Sequence, residues 1–320
     1  MTRSLIAAAI IAAAAALPTA QAAAHCVIGQ RFFPATIATE DPCVADELSA
    51  PAFSYLRVNG EEGATRQNEF AFDFARRITP DLGFSIGEAY RIFRTTGQRT
   101  QTGFGNLELG LTYQFFRALA WESTASFSLG FEVGGTGAQR VDADRFTTIT
   151  PEFRWGQGFG RLPDSVGFLR PLALTGNFGL AIPTSSQRVT TGVDPDSGET
   201  VTDIERHPHV LQIAGAIQYS IAYLQSFVRD VGLGAPFNRL YPVVEYSFEI
   251  PLDRGQSGQW TGTVNPGVIW SGQRFQVGVE AIVPLNARTG RSVGVMAQLH
   301  FYLDDLVPSV FGRPIFASVR

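Results

Sequence analysis

The pentapeptide Gly83-Phe84-Ser85-Ile86-Gly87 matches the G-x-S-x-G pattern in which a serine hydroxyl acts as an acyl-transfer nucleophile. That chemistry needs a strand, a sharp elbow and then a helix, so that the hydroxyl stands exposed within reach of a histidine. Here the pentapeptide lies inside a run of alternating apolar and polar residues with no helical pattern behind it, and it reads as plain strand. His300 is the only strand-borne candidate for such a histidine, and no serine partner for it is evident. His207-Pro208-His209 would bring two imidazoles near a metal, but no further Cys, His or carboxylate follows at ligand spacing. Asp194-Pro195-Asp196-Ser197-Gly198-Glu199 resembles half of a calcium loop and lacks the other ligand positions. As a cluster of Asp, Pro, Ser and Gly it reads as a turn. No catalytic residue, metal ligand or cofactor site is assigned, and the chain is expected not to be an enzyme.

The elements that would carry these residues are strands. Leu107, Leu109, Leu111, Tyr113 and Phe115 are interleaved with Glu108, Gly110, Thr112 and Gln114. The same period of two returns in Phe70 to Phe74, in Trp121 to Val133 and in Phe275 to Val283. Period two gives each strand one apolar and one polar face. Strands of soluble domains run about five or six residues, whereas a tilted strand crossing a bilayer needs about nine to eleven. The lengths therefore predict an all-β fold, an antiparallel transmembrane β-barrel of about twelve strands, with a range of about ten to fourteen. The strands are placed near 52–58, 68–78, 82–93, 104–115, 121–134, 146–157, 169–183, 209–224, 240–250, 260–270, 274–284 and 292–303. The connections 59–67, 94–103, 135–145, 184–208, 251–259 and 285–291 are polar and are expected outside. Segments 158–168 and 225–239 are longer than a periplasmic turn requires. Glu88 falls on the lipid face of its strand, and a β-bulge is expected to shift the register there.

The first residues read as a Sec secretory signal: Arg3, an apolar run from Leu5 to Leu17, and a small-x-small ending at Ala22. Residues 1–22 are taken as signal peptide, with cleavage after Ala24 as the alternative. Residues 23–50 form a periplasmic N-terminal segment, 51–303 the barrel and 304–320 a periplasmic tail. The N-terminal segment reads as a cap, a plug entering the lumen or a tethered leader. It holds both cysteines, Cys26 and Cys43, which suit a disulfide in an oxidising periplasm; two free thiols are the alternative. The net charge of −4 and a pI near 5.6 argue against nucleic-acid binding. All 25 basic residues are arginine, a bias with no functional reading. A mean hydropathy of +0.05 is too low for a helical membrane protein but suits a barrel, whose polar face dilutes its lipid face.

The polar face would line the lumen with Asp73, Glu108, Glu122, Glu132, Glu152, Arg154, Glu245, Glu249, Glu280 and His300, joined by Arg77 and Arg91. Its acidic excess disfavours anionic solutes, unless loops folded into the pore reverse that. Trp121, Trp155 and Trp270 fall at or near periplasmic strand ends and Trp260 at an outer end, as an interface girdle requires. The chain ends in Arg320, so Phe301 or Phe316 is expected to serve as the aromatic signal for the barrel-assembly machinery.

The strand Gly105-Asn106-Leu107-Glu108-Leu109-Gly110-Leu111-Thr112-Tyr113-Gln114-Phe115 resembles one typical of the transporter-like outer-membrane proteins of the meta-pathway of phenol degradation family. Members commonly carry Gly-Asp-(aliphatic)-x-(aliphatic)-Gly-x-x-Tyr at this stage of the barrel. Asn106 replaces the Asp, so no contact by that carboxylate carries over. The resemblance implies an outer-membrane, porin-like channel of a Gram-negative cell, with outer-membrane lipid and a small, aromatic or hydrophobic solute as partners. Two alternatives stand beside it: a non-transporting anchor whose loops bind a ligand or partner, and an outer-membrane enzyme acting on lipid.

Overall fold

The computed structural model describes residues 25–60, 63–193 and 200–316. The signal segment 1–22 and the Asp194–Glu199 run lie outside the described residues. Two short strands, β1 (Val27–Ile28) and β2 (Arg31–Phe32), pair as a hairpin. The long strands follow: β3 (Glu47–Gly60), β4 (Gly63–Arg77), β5 (Leu82–Thr95), the short β6 (Gln101–Phe104), β7 (Leu107–Ala118), β8 (Ser123–Val133), β9 (Thr148–Gly158) and β10 (Leu172–Pro183). Then come β11 (Gln187–Val193), β12 (Thr200–Arg206), β13 (Val210–Tyr219), β14 (Leu240–Pro251), β15 (Thr261–Ser271), β16 (Phe275–Pro284) and β17 (Gly294–Tyr302). Twelve of them, β3 to β5, β7 to β10 and β13 to β17, pair antiparallel in chain order, and β17 closes on β3. β6 extends the edge of β5, and β11 with β12 forms a separate ribbon.

Closure leaves no free strand edge along the wall, which is what a spanning sheet requires where water is absent. Alternation sorts the side chains. Phe70 and Phe72 on β4, Leu109, Leu111 and Tyr113 on β7, Phe127 on β8, Phe153 on β9 and Val277 and Val279 on β16 are all exposed on the outer face. A belt of this kind would be costly in water and is what acyl chains cover. At β7 the register shifts between Tyr113 and Phe116. That bulge turns both Phe115 and Phe116 outward, where each is exposed.

Two expectations need correction. The bulge expected at Glu88 is absent from its own strand, since β4 and β5 pair without a break from Thr65↔Thr95 to Arg77↔Gly83. The shift lies on the neighbour: Gly87 pairs with Glu108 but Tyr90 with Phe104, so one extra residue sits between β6 and β7. Glu88 keeps the outer face and folds its Oε1 back onto the Ala89 N–H at 3.1 Å. The polar stretch 59–67 is largely strand rather than loop, because β3 and β4 pair up to Gly60↔Gly63. Alternation fails there because polar residues such as Arg57 and Arg66 occupy the face that is apolar further down.

The described part of the N-terminal segment lies inside the barrel, and the first long strand begins at Glu47 rather than at 51. Phe33 packs with Cys26, Ile28 and Ala173 of β10, and Phe32 against Tyr241 of β14. The Ile37 and Ala38 amides reach Glu245 midway along β14. The chain returns to Asp46, which binds Arg77 of β4. Residues 25–46 thus stopper the half of the barrel at the end where the chain enters and leaves it, called the terminal end below. A disulfide joins Cys26 and Cys43, with Cα atoms 5.4 Å apart and a sequence separation of 17. Replacing both cysteines with serine is expected to weaken this segment's docked state by about 3 kcal/mol through restored chain entropy. Faster hydrogen exchange over 25–46 with barrel amides unchanged would register it.

Candidate functional site

Cross-strand partners share a face, so the pairing register carries the lumen from strand to strand. Asp73 pairs with Gly87, Gly87 with Glu108, and Glu108 with Glu132. Glu152 and Arg154 lie opposite Gly179 and Asn177. Glu245 lies opposite Asn265, Glu280 opposite Gly267, and Glu249 opposite Gln212. His300 lies opposite Gln276. These residues occupy the face opposite the aromatic belt. The Glu280 side chain lies over Gly267, where a Cβ would collide with it.

Polar contacts to that wall add to the apolar packing of Phe32 and Phe33 in holding the stopper. Glu245 is fully buried and accepts the Ile37 and Ala38 N–H groups at 2.8 Å each. Gln276 donates to the Ala35 carbonyl at 2.5 Å. Arg154 binds Glu40 at 3.1 Å and Glu152 at 2.5 Å, and Asn177 donates to Glu152 at 2.5 Å.

At the terminal end a buried cluster forms around Arg31, which is 1% exposed. Its Nε and Nη2 meet Glu122 Oε2 at 3.2 and 3.1 Å, and Nη1 and Nη2 donate to the Pro171 and Arg170 carbonyls. The guanidinium stacks 3.9 Å over the Tyr223 ring, and the Tyr223 hydroxyl donates to Glu122 Oε1 at 2.9 Å. Burial, then that bond to Glu122, pushes the phenol up to about 12. Gly158 and Gly160 make the room, since a Cβ at either would strike Glu122. Glu122 therefore faces inward but is committed to an ion pair. The sequence offered no signal for Arg31 or Tyr223, which lie 91 and 101 residues from Glu122.

The opposite end is narrowed by the connection between β8 and β9, which folds inward. Val141 is fully buried there, Ala138 N donates to the Phe104 carbonyl at 2.8 Å, and Arg91 Nη1 donates to the Val141 carbonyl at 3.5 Å. Asn106 holds the loop. Its Nδ2 donates to Glu132 Oε1 and to the Asp144 carbonyl at 3.0 Å each, and its Oδ1 accepts the Gly137 N–H at 3.0 Å. Burial and then the neighbouring Glu132 raise the Asp144 carboxyl above its ordinary range. An aspartate at 106 could not donate and would repel Glu132. Asn106→Asp is therefore expected to weaken the folded-in loop by about 1–3 kcal/mol, read as faster hydrogen exchange at 134–147.

The residues singled out for other chemistry do not converge on it. Ser85 Oγ abuts Gly110 in the wall. His207 stacks on Phe146 at 4.0 Å, while His209 Nδ1 binds Asp253 at 2.5 Å, so the two imidazoles serve different partners. His300 does have a serine partner that the sequence concealed: Ser49 Oγ lies 2.9 Å from its Nδ1. Gln298 donates to the same hydroxyl at 3.2 Å, and Glu47 Oε2 stands 3.6 Å from Nε2. A hydrolytic triad puts the serine on Nε2 and the acid on Nδ1. His300 is also 3% exposed, closed to a lipid or an ester.

Trp121 lies in the turn before β8 with Arg161 stacked at 3.8 Å. Trp155 and Trp270 lie on the outer faces of β9 and β15, and Trp260 precedes β15 at the far end, 5.9 Å from Phe248.

No protein-family model matches the chain, and no curated protein matches it in sequence. In structure it is similar to an outer membrane channel from Pseudomonas putida F1, with a TM-score of 0.54 and 8% identity over 84% of this chain and 99% of that one. It is also similar to the NanC porin, with a TM-score of 0.44 and 8% identity over 80% of this chain and 98% of that one. The translocator domain of the autotransporter NalP from Neisseria meningitidis aligns with a TM-score of 0.46 and 9% identity over 80% of this chain and 88% of that domain. At these identities the likeness is one of fold. The class defined by twelve closed strands, an apolar outer belt and a polar interior is the transmembrane β-barrel of the outer-membrane type.

Proposed function

We propose that the chain is an outer-membrane channel for passive uptake of small solutes, exported through the Sec pathway and carrying residues 25–46 as a displaceable stopper on its periplasmic side. The observation that carries this reading is the chemistry of the seam. Beside the apolar packing of Phe32 and Phe33, the stopper meets the wall through hydrogen bonds and ion pairs at Glu245, Gln276 and Arg154, and water can replace those once the segment moves. A lumen left behind would be a polar conduit whose width and charge set selectivity. Its wall and stopper carry Glu40, Asp73, Glu108, Glu132, Glu152, Glu245, Glu249 and Glu280 against Arg91 and Arg154, so cationic or neutral solutes pass in preference to anions. The aromatic or hydrophobic character of the solute rests on the resemblance of the Gly105–Phe115 strand alone.

Liposome swelling tests the reading. Vesicles with a variant lacking 25–46 are expected to swell in small neutral and cationic solutes several-fold faster than vesicles with the full chain. Equal rates would favour the second reading, a non-transporting anchor. That reading has its own support in the ribbon of β11 and β12, whose Val189, Val201 and Ile204 are about half exposed.

A further inference from the structure

Two connections at the terminal end, 159–171 and 220–239, are longer than turning a strand requires. The second presents Phe227, Val231, Leu233 and Phe237, each at least 43% exposed. The segment is nonetheless held in shape. The Gln225 side chain bonds the Leu233 N–H and carbonyl at 2.8 and 3.1 Å, and Asp230 accepts the Gly232 N–H at 2.8 Å. Trp270 Nε1 donates to the Pro236 carbonyl at 3.2 Å, and the Tyr219 hydroxyl to that of Phe168 at 3.1 Å. These bonds make the patch continuous with the outer aromatic belt, and Phe168 adds a ring that is 63% exposed.

The charges beside it are unbalanced. Among the described residues Arg229 and Arg239 take part in no ion pair, and Arg161 meets only the Trp121 ring, whereas Arg170 is paired with Asp164. Fixed apolar side chains flanked by free guanidinium groups fit the boundary of a bilayer, with rings and aliphatic groups among acyl chains and arginine on phosphate.

We propose that residues 224–239 are an interfacial lipid-binding segment. Phe227, Val231, Leu233 and Phe237 enter the leaflet, and Arg229 and Arg239 hold the phosphate of an anionic phospholipid. This accounts for a connection whose length the barrel itself does not need, and it holds whether or not the pore conducts.

The full chain in nanodiscs of phosphatidylcholine, with and without phosphatidylglycerol, tests it by two measurements. A spin label at Leu233→Cys is expected to be relaxed by oxygen more than by a water-soluble nickel chelate, with the reverse at Ser257→Cys beyond the other end. Native mass spectrometry is expected to show phosphatidylglycerol retained over phosphatidylcholine by about 25-fold, at about fivefold per arginine. Arg229→Gln with Arg239→Gln should abolish that preference while the barrel keeps its heat-modifiable gel shift. Nickel access at 233 equal to that at 257 would overturn the insertion. An inserted label with no phosphatidylglycerol preference, or a preference unchanged in the double variant, would overturn the phosphate assignment.

Discussion

Arg31→Ala is expected to loosen the whole lumenal segment, because it strands the buried Glu122 without its cation. Removing one partner of a buried ion pair costs about 3–5 kcal/mol, most of it the penalty on the charge left behind. Glu122 would keep the Tyr223 hydroxyl and the Gly160 N–H but lose both guanidinium bonds, and the Pro171 and Arg170 carbonyls would lose a donor. The barrel strands do not depend on this pair, so the cost falls on docking of 25–46. Hydrogen exchange over that segment is expected to accelerate by about 10²–10⁴-fold while exchange in β13 to β16 stays as it was. Arg31→Met combined with Glu122→Gln removes both charges and should restore much of the protection. Equal loosening in the single and double variants would mean that packing, rather than the ion pair, fixes the segment.

The second large effect is at Glu245. Its carboxylate accepts two successive backbone N–H groups of the stopper in a fully buried setting. Glu245→Ala leaves both donors unpaired, at about 1–3 kcal/mol each, in the stretch between the Gln276–Ala35 and Arg154–Glu40 contacts. The chain supplies its own reporter, since Arg31 is the only arginine or lysine between 25 and 46 and is 1% exposed. Trypsin should leave the Arg31–Phe32 bond of the native chain intact and cut it in the variant. The disulfide to Cys43 retains the fragment, so the nick appears as a gain of one water in mass and as a released peptide after reduction. Resistance equal to that of the native chain would show that Glu245 does not carry the grip assigned to it.

These contacts mark where sequence reading reached and where it stopped. Strands such as β5, β10 and β14 were legible to within three residues at each end, because one face of each must meet lipid and alternation follows. Nine of the ten expected lumen residues lie on strands and share that parity; Glu122 lies in the turn before β8 and is turned inward by the left-handed backbone there. What lay beyond was anything set by distance in the chain. Ser49 and His300 meet across 251 residues because β17 closes on β3, and no local pattern announces closure. The path of 25–46 was illegible because a segment wrapped in polar wall shows neither a period of two nor one of 3.6. Residues 47–51 hid as well, since Pro51 and the register shift between Ser49 and Ala52 break the alternation. In the sequence Asn106 stands out only as a departure from a resembled motif; its hold on Glu132, Asp144 and Gly137 depends on the folded loop.

Single-channel recording in planar bilayers tests the central claim, a stoppered conduit, most directly. The full chain should be silent or show only brief openings. The full-length Arg31→Ala, Glu245→Ala double variant, its barrel intact by heat-modifiable gel shift, should give frequent long-lived steps with a reversal potential favouring cations. Silence from both proteins, with exchange data showing residues 25–46 released in the variant, would contradict the account.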